Sequence, residues 1–193
     1  MSIHDSTHKM KHVMLDIETL GVGDKAPILS VAAVNFNLHT GEYLDYFTHD
    51  ATLHKKISLE DNIKYGFNIE PDALRWWLKT DANLLNETIH KKNHYTKIED
   101  VISKLNKFCL NKYVWARSPS FDIKHLKRVA DACNLKLNIN YQKEMDVRTL
   151  QTLYPEVSNS IEFEGKAHDA LQDCIHQIKI VSEIYNKKIK SSL

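Results

Sequence analysis

Glycine and proline are scarce in this chain, at five and four residues of 193. Linkers and low-complexity arms draw on both, and neither a linker nor an internal repeat is visible. One compact domain over residues 11–190 with a real core is expected, which 42% hydrophobic content can supply. Cysteine is also sparse. Cys109, Cys133 and Cys174 are odd in number, form no Cys-x-x-Cys pair and fall on apolar helical positions. That pattern argues against a disulfide framework and predicts reduced, buried thiols. No apolar run approaches a membrane span, so no membrane partner is expected. Residues 1–10 are polar and His-rich rather than basic followed by an apolar stretch, which predicts a flexible N-terminus, no signal peptide and a cytoplasmic protein. An excess of one charge sign is missing too: 26 Lys and Arg face 25 Asp and Glu, for a net charge of +1. The broad basic footprint of proteins that grip long duplexes is therefore absent from the bulk composition.

What the chain does have is a spaced set of carboxylates. Asp16-Ile17-Glu18-Thr19 ends the apolar run Val13-Met14-Leu15. Alternate side chains of a strand share a face, so Asp16 and Glu18 should project together from its carboxyl end. Two adjacent carboxylates resist burial unless a cation compensates them, and hard ions such as Mg²⁺ or Mn²⁺ prefer oxygen ligands. An Asp-x-Glu by itself arises by chance about once in a chain of this length. Its company makes it informative. Asp122 follows the strand-like Tyr113-Val114-Trp115-Ala116 and should open a helix through Ile123, Leu126, Val129 and Ala130, with Ser120 as its cap. His168 and Asp173 stand at the start of an amphipathic helix that carries Leu171, Cys174, Ile178, Val181 and Tyr185 on one face. At about 100° per residue they flank one side of a cleft without overlapping.

In that order and on those elements, Asp16-x-Glu18, Asp122 and His168-x₄-Asp173 resemble the three motifs of the DEDDh 3′-to-5′ exonucleases, which have a ribonuclease H-like fold. Ala73-Leu74-Arg75-Trp76-Trp77, Ser120-Phe121-Asp122, Asp146-Val147-Arg148-Thr149 and Ala167-His168-Asp169 are similar to the branch that holds exonuclease A of T-even phages and a mycobacterial exoribonuclease. The resemblance spans residues 12–185. It implies Asp16, Glu18, Asp122, His168 and Asp173 as catalytic residues, with the four carboxylates holding two Mg²⁺ or Mn²⁺ ions and His168 acting as general base. It also implies release of nucleoside 5′-monophosphates from single-stranded 3′ ends. DNA is favoured over RNA on likeness to the phage enzyme, which would place the protein in a host cytoplasm. A non-catalytic nucleic-acid-binding module and an endonuclease on the same fold are the remaining alternatives. With a near-neutral chain, weak and distributive binding is expected.

Substrate contacts are expected from Thr19 and Leu20 after the first motif, from Ser120, and from Arg148, for which an ion pair with Asp146 is an equal alternative. Every nucleobase offers a π-face to an aromatic platform, so Trp76 or Trp77 could stack on one. Adjacent helical residues face about 100° apart, so at most one of the pair should do so while the other packs in the core. His4, His8 and His12 share an i, i+4, i+8 spacing but lack companion ligands. His125 and His176 read as surface or packing residues, and Asp169 as a capping acid.

Strands are predicted at 11–17, 28–37 and 42–48, with a turn at Thr40-Gly41, then at 113–116 and ending at Met145-Asp146. Residues 50–70 resist assignment. Helices are predicted from Pro71, from a capping box at Thr96-Lys97-Ile98-Glu99, and from Val147 until Pro155. The sum is an α/β fold: a mixed five-stranded ribonuclease H-like sheet with helices on both faces.

Overall fold

The computed structural model describes residues 10–43, 52–90 and 94–190. Its elements are β1 (His12–Thr19), β2 (Ile28–Phe36), β3 (Thr52–Lys56), α1 (Leu59–Lys64), α2 (Pro71–Ile89), α3 (Ile98–Phe108), β4 (Tyr113–Ala116), α4 (Asp122–Ala132), β5 (Glu144–Asp146), α5 (Val147–Leu153), α6 (Pro155–Ser158) and α7 (Ala170–Ile184). The five strands form one sheet in the order β3-β2-β1-β4-β5. β1 lies at its centre, antiparallel to β2 and parallel to β4.

The alternation of β1 divides the core into two layers. Val13, Leu15 and Ile17 point to one face and pack beneath α3 and α4 with Ile98, Val101, Leu105, Ile123 and Leu126. Met14 points to the other face, where Ala170, Cys174, Ile178 and Val181 of α7 cover it. Each fully buried branched side chain contributes about 1.5–3 kcal/mol. β2 is buried at all nine positions, including Ser30 and Asn35, because both of its faces are covered. All three cysteines are free; Cys109 and Cys174 are buried and Cys133 half-buried. Among the described residues no helix is long and apolar enough to cross a membrane.

Several local expectations are corrected. The third strand is Thr52–Lys56, not 42–48. Tyr43 makes only an isolated bridge to Phe36, and 44–48 lie outside the described residues. The region 50–70 holds β3 and α1, the latter capped by Ser58, whose hydroxyl accepts from the Asp61 N–H. The Thr96 capping box does not form. Lys97 is the cap residue, and the Ile98 N–H donates instead to Asp61 Oδ2 at 2.8 Å. Of the expected flexible N-terminus, 1–9 lie outside the described residues and Met10 is buried. His12 is on a strand rather than a helical stripe, and Trp115 Nε1 donates to its Nδ1 at 3.0 Å. His4 and His8 are outside the described residues.

Candidate active site

Asp16 and Glu18 share the α7-facing side of β1, as strand alternation requires. A register shift between Glu18 and Thr19 ends the regular pairing with β2 immediately beyond them. Such a bulge twists a strand out of its ladder and re-aims its side chains. The loop that follows is held from α2: the Glu70 carboxylate accepts from the N–H groups of Val22 and Gly23 at 3.0 and 2.8 Å. Gly21 leaves room here, because a Cβ would meet the Ala26 Cβ at 2.6 Å and the Glu70 carboxyl carbon at 2.5 Å.

Asp122 opens α4 directly after β4, but Ser120 does not cap that helix. Phe121 is the cap residue and makes no side-chain cap bond, while Ser120 Oγ pairs with Ser118 Oγ at 3.1 Å. Asp122 Oδ2 instead accepts from the Ser118 N–H at 3.3 Å, which turns the carboxylate back toward the sheet. Asp169 does cap α7, accepting from the N–H groups of Leu171 and Gln172. His168 therefore precedes the helix and does not lie on its first turn. Its φ of +65° is in the left-handed region, which His visits more readily than most non-glycine residues. The His168 N–H donates to Asp173 Oδ2 at 3.0 Å, so this backbone conformation fastens the two residues to each other.

Glu18, His168 and Asp173 each bring one ligand atom to within 4.8 Å of the others. Asp16 is buried beside them, with Gln177 Nε2 donating to its Oδ1 at 3.0 Å. Burial raises the Asp16 pKa well above the carboxylate range, and the charges of Asp122, Glu18 and Asp173 raise it further. Burial, then Asp173 and Asp122, push Glu18 up to about 9. Asp122 is pushed up to about 7 by burial, opposed by backbone hydrogen bonds and by the charge of Arg148. Asp173 is raised by burial and opposed chiefly by His168. Four carboxylates with pKa values raised by burial, two of them raised further by the others' charge, form a donor set suited to cationic charge.

The remaining expected contacts divide. Trp77 is buried and its Nε1 donates to the Thr19 carbonyl at 2.9 Å, pinning α2 to the end of β1. Trp76 is 46% exposed and meets the His168 ring edge to face at 4.9 Å. One tryptophan of the pair thus packs and the other borders the site. Leu20 is only 1% exposed and packs with Leu29, Trp77, Leu84 and Leu85, so its side chain is a core residue. Thr19 Oγ1 donates to the Gly21 carbonyl at 2.6 Å. Asp146 caps α5 through the Thr149 N–H rather than pairing with Arg148, whose charge acts on Asp122. Sequence reasoning missed Gln177 and Glu70. Gln177 offered one faint signal, a polar residue among the apolar positions of α7.

A family profile described as a 3′-5′ exoribonuclease Rv2179c-like domain matches residues 11–185. No curated protein gives a significant match. Among solved structures, Schizosaccharomyces pombe Pop2p in a Mg²⁺- and Mn²⁺-bound form aligns with a TM-score of 0.67 at 14% identity, over 99% of this chain and 89% of that one. The nuclease domain of 3′hExo, a DEDDh family member bound to rAMP, gives 0.63 at 14% identity over 92% of each chain. A zinc-bound Escherichia coli ExoI–ssDNA complex gives 0.68 at 12% identity, over 92% of this chain but only 40% of that one. At such identities the likeness shows the shared ribonuclease H-like fold. With the family profile matched from 11 to 185, the chain belongs to the Rv2179c-like 3′-5′ exoribonuclease domain family.

Proposed function

We propose that residues 11–190 act as one domain that removes nucleoside 5′-monophosphates from the 3′ end of single-stranded RNA. The reading is carried by the convergence of Glu18, His168 and Asp173 beside buried Asp16 and Asp122. RNA replaces DNA as the favoured polymer because the matched family is described by exoribonuclease activity. DNA remains the second reading, supported by the local likeness to the phage enzyme.

The donor set fits two hard divalent ions, Mg²⁺ or Mn²⁺, held by Asp16, Glu18, Asp122 and Asp173. When bound, such ions neutralise these carboxylates and stabilise charge on the scissile phosphate. The protein's own contribution is orientation and proton transfer. A ring nitrogen of His168 takes the proton of the attacking water, and the bond from its N–H to Asp173 fixes where that ring stands. Trp76 and Trp77 restrict the ring from the other side. The exposed face of Trp76 is available to the terminal base, and Arg148 to a phosphate near Asp122.

The proposal is tested on 5′-labelled RNA and DNA of matched sequence, with Mg²⁺, Mn²⁺ or chelator. A metal-dependent ladder that shortens from the 3′ end is expected, faster on RNA, with a circular single strand left intact. Faster DNA digestion would reverse the substrate assignment, and cleavage of the circle or no ladder at all would remove the exonuclease reading.

His168→Ala is expected to lower kcat by about 10²–10⁴-fold with little change in KM and no change in the metal concentration required. A variant whose activity returned at raised metal concentration would make His168 a ligand instead.

A further inference from the structure

The near-neutral total conceals a segregated surface. Between β3, the last turns of α3 and the segment before β4 lies a groove of about 430 Å³ lined by Lys55, Lys104, Lys107, Lys112 and Phe108, with no acidic residue among the described residues of its wall. Lys104 and Lys107 are exposed, and Lys55 and Lys112 half-buried. Lys112 Nζ donates to Asn35 Oδ1 at 2.7 Å and stands 5.2 Å over the Phe108 ring. Among the described residues Lys55, Lys104 and Lys107 make no ion pair, whereas Lys64, Lys127, Lys166 and Lys179 are each matched to a glutamate. Four ammonium groups gathered without counter-charge repel one another and suit a polyanion.

The groove connects toward the catalytic carboxylates. Lys55 is shared with a second cavity of about 340 Å³, lined also by His54, Lys56, His94, Tyr95 and Thr96. His54 pairs with Ala32, and Ala32 with Asp16, so the three stand in one row across the sheet. Two strand spacings, about 10 Å, separate His54 from Asp16 on the face that α7 covers. Asp169, which caps α7 next to His168, acts electrostatically on both Glu18 and His54. Ala32 in that row is fully buried under α7, so a strand leaving the carboxylate site passes the start of that helix at Asp169, then His54 and Lys56, and over the β3 edge Lys55 and the lysines of α3.

We propose that the groove of Lys55, Lys104, Lys107 and Lys112 binds upstream phosphates of a single nucleic-acid strand whose 3′ end lies at the carboxylates. The proposal rests on the exonuclease reading for the direction of the strand. It assigns to the edge of β3 a sequence-independent, salt-sensitive subsite that short substrates do not reach.

The test is equilibrium binding of a long, fluorescently labelled single strand in chelator, where no hydrolysis occurs, by wild type and by the Lys55→Gln, Lys104→Gln, Lys107→Gln triple variant. The variant should bind roughly tenfold more weakly, and its slope of log affinity against log salt should be shallower by about two for three lost phosphate contacts. A triple Lys→Arg variant should keep the wild-type slope. Circular dichroism and thermal melting of each variant separate lost binding from lost folding. In parallel, hydrolysis of short and long strands with Mn²⁺ should show a preference for length in the wild type that shrinks in the Gln variant. Unchanged affinity and slope in a folded Gln variant would overturn the subsite and leave the groove to a protein partner. Absence of hydrolysis by the wild type would remove the exonuclease reading while the binding result still decided the subsite.

Discussion

Asparagine in place of Asp16 is expected to lower turnover about a thousandfold or more while leaving the fold intact. Asp16 lies 8% exposed at the centre of the acidic set, and the charges of Asp122, Glu18 and Asp173 all act on it. An amide of the same shape keeps the acceptor that Gln177 Nε2 uses and removes the charge that a cation requires. The variant should therefore melt higher than wild type without metal and gain little when Mn²⁺ is added, since relief of charge repulsion stabilises a site built for binding. Calorimetry and the 3′-end ladder check both halves. Full turnover in a folded Asp16→Asn protein would show that the carboxylate set is not the reactive centre.

The second large effect is a pH dependence opposite to that of a protein held by ion pairs. Glu18 is raised from 4.5 to about 9 and Asp122 from 3.8 to about 7, burial being the main cause in each. Between the ordinary carboxylate range and these raised values, the folded chain holds more protons than the unfolded one. This contribution to stability is fully present below the unfolded pKa values and is lost as pH rises through about 7 and then about 9. Without metal, the wild-type melting temperature is expected to fall from about pH 5 to about pH 9 relative to a Glu18→Gln, Asp122→Asn double variant, in which neither group titrates. Divalent cations compete with those same protons, so the increase in melting temperature on adding Mn²⁺ should be larger at the alkaline end. Parallel wild-type and variant curves, or a metal shift independent of pH, would contradict the raised carboxylates.

The elements of the candidate site were legible because hydrophobic periodicity and carboxylate spacing reinforced each other there. β1 alternates cleanly, and Asp122 and Asp173 fall at the starts of strongly patterned helices. β3 was hidden by its own chemistry: His54, Lys55 and Lys56 make an edge strand in which only Leu53 is buried, so no apolar alternation marks it. Asn62 was equally silent. It is fully buried and bonds the Ile28 N–H and carbonyl, tying α1 to β2 through a residue type that reads as surface. The cap at Thr96 failed because a partner distant in sequence, Asp61, accepts from the Ile98 N–H, and the cap at Ser120 because its hydroxyl pairs with that of Ser118. The left-handed turn at His168 leaves no mark in composition, because only the register of α7 and the capping choice of Asp169 decide it.

The hydrogen bond between Gln177 and Asp16 joins positions 161 residues apart. A ribosome adding about 5–20 residues per second needs many seconds to make that span. Throughout that interval the emerging polypeptide carries Asp16 and Glu18 without the helix that delivers Asp173. The set of four carboxylates is thus complete only after synthesis has passed beyond α7.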